Sequence, residues 1–193
     1  MPTSRISLLL ATRNKHKILE IKDILGSDID FLFIDDYLSI DIREAGRTLA
    51  ENSLAKARYA YEVTGKPSLA DDSGLFVTAL DNAPGVFSAR YGKDDADRIE
   101  RVLTELQGKH DRSAVFRAVF VFYTAPDSYY TFDGECPGEI IHEPRGKNGF
   151  GYDPIFVPRG YKHTFAELGQ KTKNRISHRA RALKKFRRYL DTR

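Results

Sequence analysis

Two adjacent carboxylates, Asp71 and Asp72, followed at once by Ser73 and Gly74, open the stretch 69–91 (LADDSGLFVTALDNAPGVFSARY). Neighbouring carboxylates repel each other and cost desolvation, which a fold tolerates mainly when a cation compensates. The apolar flanks read as short buried strands, so the pair is expected where strand gives way to turn. Gly74 permits a tight turn or a close approach of the backbone to a ligand. Two readings stand at this point. One is a site for a hard metal ion; the other is a surface turn, for which Asp-Asp-Ser-Gly is good chemistry.

Three other groupings carry chemistry. Thr12, Asn14 and Lys17 follow the apolar run 6–11 (ISLLLA) and precede a helical pattern with Ile18, Ile21 and Leu25 on one face, stopped at Gly26. A helix mouth after a strand offers backbone N–H groups and the positive dipole end to an anion, with Lys15 and Lys17 adding charge. The alternative there is a capped helix with solvated lysines. Asn52 and Lys56 stand four apart and so share a helix face. Their helix runs to about Val63 and opens on Thr48-Leu-Ala-Glu51, a capping box. In the segment 144–156 (PRGKNGFGYDPIF), three glycines fall within six residues, beside Arg145 and Lys147. Phe150 and Tyr152 are suited to stack on a base and Asp153 to accept a hydrogen bond from one. The segment contains neither G-x-G-x-x-G nor G-K-[ST], which argues against a dinucleotide fingerprint or a Walker loop.

The elements that must position these residues follow from patterning. Residues 29–34 read as a strand and 35–47 as a polar loop containing Glu44. A helix starts at Asp94 or Asp95, buries Ile99, Val102, Leu103 and Leu106, and closes at Gly108. The run 114–123 is a central strand, apolar on both faces except at Arg117, which would need a carboxylate or phosphate partner if buried. Residues 129–132 and 138–142 suggest strands around a GECPG turn. A basic amphipathic helix is expected over 174–190, with Ile176, Ala180, Leu183, Phe186 and Leu190 on one face and Ser177-His178-Arg179 in its first turn, preceded by Lys173. The chain reads as one α/β domain spanning 1–193.

Composition fits that reading: 193 residues, 41% hydrophobic and 30% charged. The single cysteine, Cys136, excludes an intramolecular disulfide and points to a reducing compartment. Its acidic neighbours would raise its thiol pKa. A net charge of +4 suits an anionic partner, phosphate or nucleic acid. No apolar run approaches a membrane span and the amino terminus lacks a signal-peptide pattern, so a cytoplasmic location is expected.

Taken together, LLLATRNKHKILEI, TLAENSLAKA, LADDSGLFVTAL, PGVFSARY, GFGYDPIF, TFAEL and ISHRARAL, in that order, resemble the inosine/xanthosine triphosphate pyrophosphatase family. The resemblance implies an elongated two-lobed α/β domain around a long mixed β-sheet with flanking helices, the active site lying in the cleft between lobes. It also implies a homodimer, Mg²⁺ dependence, and a deaminated purine nucleoside triphosphate (ITP, dITP, XTP) as substrate, with no nucleic-acid or membrane partner. By position, Thr12, Asn14 and Lys17 match the triphosphate-binding motif, and Asn52 with catalytic Lys56 matches the helix facing the phosphates. Asp72 matches the essential acid, metal ligand or proton acceptor, with Glu44 chosen as a second metal carboxylate; Arg43 stands where many relatives have another acid. Ser73, Phe150, Gly151, Tyr152, Asp153, Lys173, His178 and Arg179 match nucleoside and substrate contacts. Competing expectations are a related pyrophosphatase acting on pyrimidine or modified nucleotides, similar to Maf-like proteins, and a nucleic-acid-binding module built on the basic carboxy-terminal helix.

Overall fold

The computed structural model describes residues 6–38 and 45–192; Glu44, expected as a metal carboxylate, lies outside the described residues. The apolar run near the amino terminus forms strand β1 (Ile6–Leu10), with Leu8, Leu9 and Leu10 fully buried. Helix α1 (Lys15–Leu25) is capped by Asn14, whose side chain accepts from the N–H groups of His16 and Lys17. Gly26, at φ +88°, ends it by donating to the Lys22 carbonyl. Strand β2 (Ile29–Phe33) pairs in parallel with β1. Helix α2 (Leu49–Thr64) starts at Thr48, whose hydroxyl accepts from the Glu51 N–H. The Glu51 carboxylate takes the Arg47 N–H at 2.7 Å, so the expected box forms in one direction only.

Strand β3 (Ser68–Val77), helix α3 (Asp95–Glu105, capped by Asp94), strands β4 (Ser113–Ala125), β5 (Ser128–Ile140) and β6 (Phe156–Pro158), and helices α4 (Phe165–Ile176) and α5 (His178–Asp191) complete the order. The six strands form one sheet in the order β2-β1-β3-β4-β5-β6. β1 is parallel to β2 and β3, and β6 is antiparallel to β5. This is an α/β fold, as patterning indicated, on a mixed sheet, as the family resemblance implied.

Four local expectations are corrected. Asp71 and Asp72 lie inside continuous strand β3 rather than at a strand end. Gly74 serves close packing there, since a Cβ at this position would sit 2.2 Å from the Gly85 carbonyl oxygen. The GECPG segment is likewise interior to β5, and Cys136 is buried in it. The helix expected over 174–190 is two helices, parted at Ser177, whose extended backbone and side-chain bond to the Ala180 N–H cap α5. Finally, Arg117 is not buried: its side chain is 43% exposed and pairs with Glu135 at 2.9 Å.

Packing divides the chain into two compact units. The first comprises 1–72, 119–133 and 182–193, and its core includes Leu9, Ala11, Ala57, Ala60, Ala70 and Val121. The second comprises 73–118 and 134–181, centred on Leu75, Val102, Phe116, Ile155, Phe156 and Phe165. Among the described residues, no helix is long and apolar enough to cross a membrane.

Candidate active site

Neighbouring residues on a strand face opposite ways, and β3 uses this. Asp71, fully buried, pairs with Lys17 of α1 at 3.0 Å. Asp72, 6% exposed, accepts from the Asn52 side-chain amide of α2 at 2.8 Å. The Asn52 carboxamide oxygen in turn accepts from the Gly46 N–H at 2.8 Å, which fixes its orientation. One helical turn on, Lys56 donates to the Asp71 backbone carbonyl at 2.7 Å. Thr12 stands at the mouth of α1, its hydroxyl accepting from the Asn14 N–H at 3.3 Å. Thr12, Asn14, Lys17, Asn52, Lys56 and Asp72 thus all fall in the first unit, with Lys17 and Asn52 bonded to the two β3 carboxylates and Lys56 to the Asp71 backbone carbonyl.

Ser73, Phe150, Gly151, Tyr152, Asp153, Lys173, His178 and Arg179 fall in the second unit. Asp153 and Lys173 form a buried ion pair at 2.5 Å, and the Asp153 carboxylate also accepts from the Phe150 N–H at 2.9 Å. Lys173 lies 4.4 Å from the centre of the Phe150 ring, and the Arg179 guanidinium 5.7 Å from it, both within cation–π range. Arg179 is 1% exposed and donates to the Ser73 hydroxyl at 3.1 Å. His178 stacks on Phe116, with centroids 4.8 Å apart and planes within 11°. Gly151, at φ +61°, donates its N–H to Asp95 of α3 at 2.7 Å.

Tyr152 stands apart from the expectation that it offers a ring to a base. It is buried in the core, its hydroxyl donates to the Ser88 carbonyl at 2.9 Å, and burial pushes its phenol pKa far above the ordinary value. In this arrangement Phe150 is the partly exposed aromatic, while Tyr152 belongs to the core. Asp153 likewise holds Lys173 and the Phe150 backbone rather than presenting a bare carboxylate. Gly149, at φ +80°, allows this closure, since a Cβ there would lie 2.1 Å from an Asp153 carboxylate oxygen.

Asp71, Gly46 and Asp95 hold the expected site residues in place without being among those that the family resemblance assigns. Asp71 was visible as half of the acidic pair, but only its contacts tie it to both lysines. Asp95 carried no signal beyond helix initiation. A separate cavity of about 890 Å³, with walls that include Leu103, Arg112, His142 and Pro154, is lined by none of the expected site residues.

The acidic donors at β3 are oxygens, the two buried carboxylates of Asp71 and Asp72. Among the described residues, no group of three or more His, Cys, Asp or Glu stands together as a metal cage. Such a donor set fits a hard cation that completes its shell with substrate oxygens and water, the usual habit of Mg²⁺.

The fold and these two clusters define a mixed-sheet α/β protein that sets lysines and carboxylates on one unit and a cation-flanked aromatic ring on the other. The chain belongs to the Ham1 family, whose model matches residues 8–189. It is similar to a solved HAM1 protein from Coxiella burnetii, at 42% identity and a TM-score of 0.91, covering 97% of this chain and 100% of that one. The Staphylococcus aureus Ham1 protein gives 36% identity and a TM-score of 0.88, covering 96% and 98%. A Geobacter sulfurreducens protein named dITP/XTP pyrophosphatase is 45% identical over 183 residues, 91% of this chain and 92% of that relative.

Proposed function

We propose that this chain hydrolyses deaminated purine nucleoside triphosphates (ITP, dITP and XTP) to the nucleoside monophosphate and pyrophosphate, keeping them out of DNA and RNA. The names of its relatives support the substrate class. The observation that carries the reading is the division of labour on β3, where Asp72 is oriented by Asn52 and Asp71 is bonded to both Lys17 and Lys56.

In this reading the whole chain acts as one catalytic domain. Thr12, Asn14, Lys17, Asn52 and Lys56 take the triphosphate, with the lysines acting as point charges. Ser73, Phe150, Gly151, Tyr152, Asp153, Lys173, His178 and Arg179 take or support the nucleoside. Asp72, turned by Asn52, orients the attacking water and accepts its proton. A bond forms from that water oxygen to the α-phosphorus as the bridging bond to the β-phosphate breaks, and the electron pair leaves with pyrophosphate. Lys17 and Lys56 offset the charge gathering on the leaving oxygens. Mg²⁺, held by Asp72 with Glu44 when bound, supplies further charge neutralisation at the phosphates.

Selectivity is assigned to the purine 6-position. A keto oxygen there accepts from the Arg179 guanidinium, whereas the adenine amino group sets donor against donor. Each buried donor left unpaired costs about 1–3 kcal/mol. The protein is read as a cytoplasmic homodimer that works without nucleic acid or membrane.

The test is pyrophosphate release from ITP, XTP, dITP, GTP, ATP, CTP and UTP with Mg²⁺, each with an EDTA control. Fast, chelator-sensitive release from ITP and XTP with little from ATP supports the proposal. Activity confined to pyrimidine or methylated nucleotides would move the base assignment, and no hydrolysis at all would overturn it.

A further inference from the structure

Both lysines assigned to the triphosphate converge on one residue that the proposed reaction does not itself use. Asp71 is 1% exposed, and its carboxylate pairs with Lys17 at 3.0 Å. Its own backbone carbonyl accepts from Lys56 at 2.7 Å. Lys17 arrives from α1 and Lys56 from α2, so a single β3 residue fixes ammonium groups from two helices. A lysine side chain carries four rotatable bonds, and confining it costs entropy that a rigid partner can meet before substrate arrives.

We propose that Asp71 is a positioning residue for phosphate capture: it holds Lys17 and Lys56 at a set separation, so that both meet the leaving pyrophosphate without reorganising. This rests on the pyrophosphatase reading above. The two holds differ in kind. Asp71→Asn removes the charge that pairs with Lys17 and leaves only a neutral amide oxygen there, whereas the hold on Lys56 is made by the backbone carbonyl and needs no side chain at 71. The side-chain contact of Asp71 put to the test is its ion pair with Lys17.

A double-mutant cycle on the full chain tests this, using Asp71→Asn, Lys17→Gln and the pair together, with ITP hydrolysis and inhibition by pyrophosphate and by inosine monophosphate as readouts. Asp71→Asn is expected to lower kcat/KM about 100-fold, the usual scale for a misplaced reacting group. The pair should be no slower than Lys17→Gln alone, since the two residues act through one contact. Pyrophosphate inhibition should weaken about tenfold or more in Asp71→Asn while inosine monophosphate inhibition holds, a selectivity that a merely structural role would not produce.

Additive losses in the cycle, or equal weakening of both inhibitors, would overturn the positioning role while leaving the pyrophosphatase reading intact. A wild-type chain that hydrolyses no triphosphate would overturn both. Should Asp71→Asn fail to fold, the pair removes both buried charges at once, and its comparison with Lys17→Gln still decides: a further loss on adding Asp71→Asn refutes the proposal.

Discussion

Asp153 and Lys173 meet at 2.5 Å with both side chains only 3% exposed, and the same Asp153 oxygen accepts the Phe150 N–H. One carboxylate therefore locks both the cation over the Phe150 ring and the backbone that carries that ring. Removing one member of a buried pair strands the other's charge, at a cost of about 3–5 kcal/mol. Asp153→Ala is expected to lower stability by that amount in urea unfolding and to raise KM for ITP. Retained stability and KM would show that the pair does not hold the loop.

Asp72→Asn keeps an oxygen acceptor for the Asn52 amide and removes the proton acceptor. A loss of about 100- to 10,000-fold in kcat, typical of a deleted general base, is expected with little change in Tm. Near wild-type kcat would remove Asp72 from the chemistry.

Arg179 is the largest fully buried side chain in the described structure, and its partner Ser73 fixes one end of the guanidinium. Arg179→Met preserves bulk and deletes the donors. The ratio of kcat/KM for ITP over ATP should fall about tenfold, as expected for one lost discriminating hydrogen bond. An unchanged ratio would assign base selection elsewhere.

Burial pushes the Cys136 thiol up to about 11, against a smaller opposing pull from the Arg181 charge. Near neutral pH its thiolate should be about 100-fold scarcer than that of an ordinary cysteine. The folded value is raised, so the sign follows directly. Stability is unaffected by this group below the ordinary thiol range and declines as pH climbs from there toward 11. Iodoacetamide should label the native chain slowly and the urea-unfolded chain quickly; equal rates at pH 7.5 would contradict the burial.

Local signals served well where local chemistry decides. The buried run of β1, the Asn14 cap and the Gly26 stop were all legible, because each depends on residues within one turn. Asp-Asp-Ser-Gly and Glu-Cys-Pro-Gly looked like turns and proved to be strand interiors. There, sheet pairing and packing outweighed intrinsic propensity. The amphipathic stripe ran on past Ser177 and hid the break before α5, although a serine ahead of His178 is itself a capping signal. Thr164 and Glu167 carry a second signal of this kind, the reciprocal capping box at the head of α4. Within the candidate site, residue types could be read from sequence. The closed contacts of Asp153 and the burial of Tyr152 could not, since they depend on partners as distant as Ser88 and Lys173.

The alternation of β3 also sets how this sequence can change by insertion and deletion. Asp71 and Asp72 serve different helices only because they occupy opposite parities of one strand. Deleting a single residue upstream within β3, such as Ala70, would keep an acidic pair in the strand and yet exchange their sides. The carboxylate meant for Lys17 would turn toward Asn52, and the other toward Lys17. Length variation is therefore confined to the connections outside this strand. The tolerance of these positions to substitution and their tolerance to a shift in frame are separate constraints, and the second is the stricter.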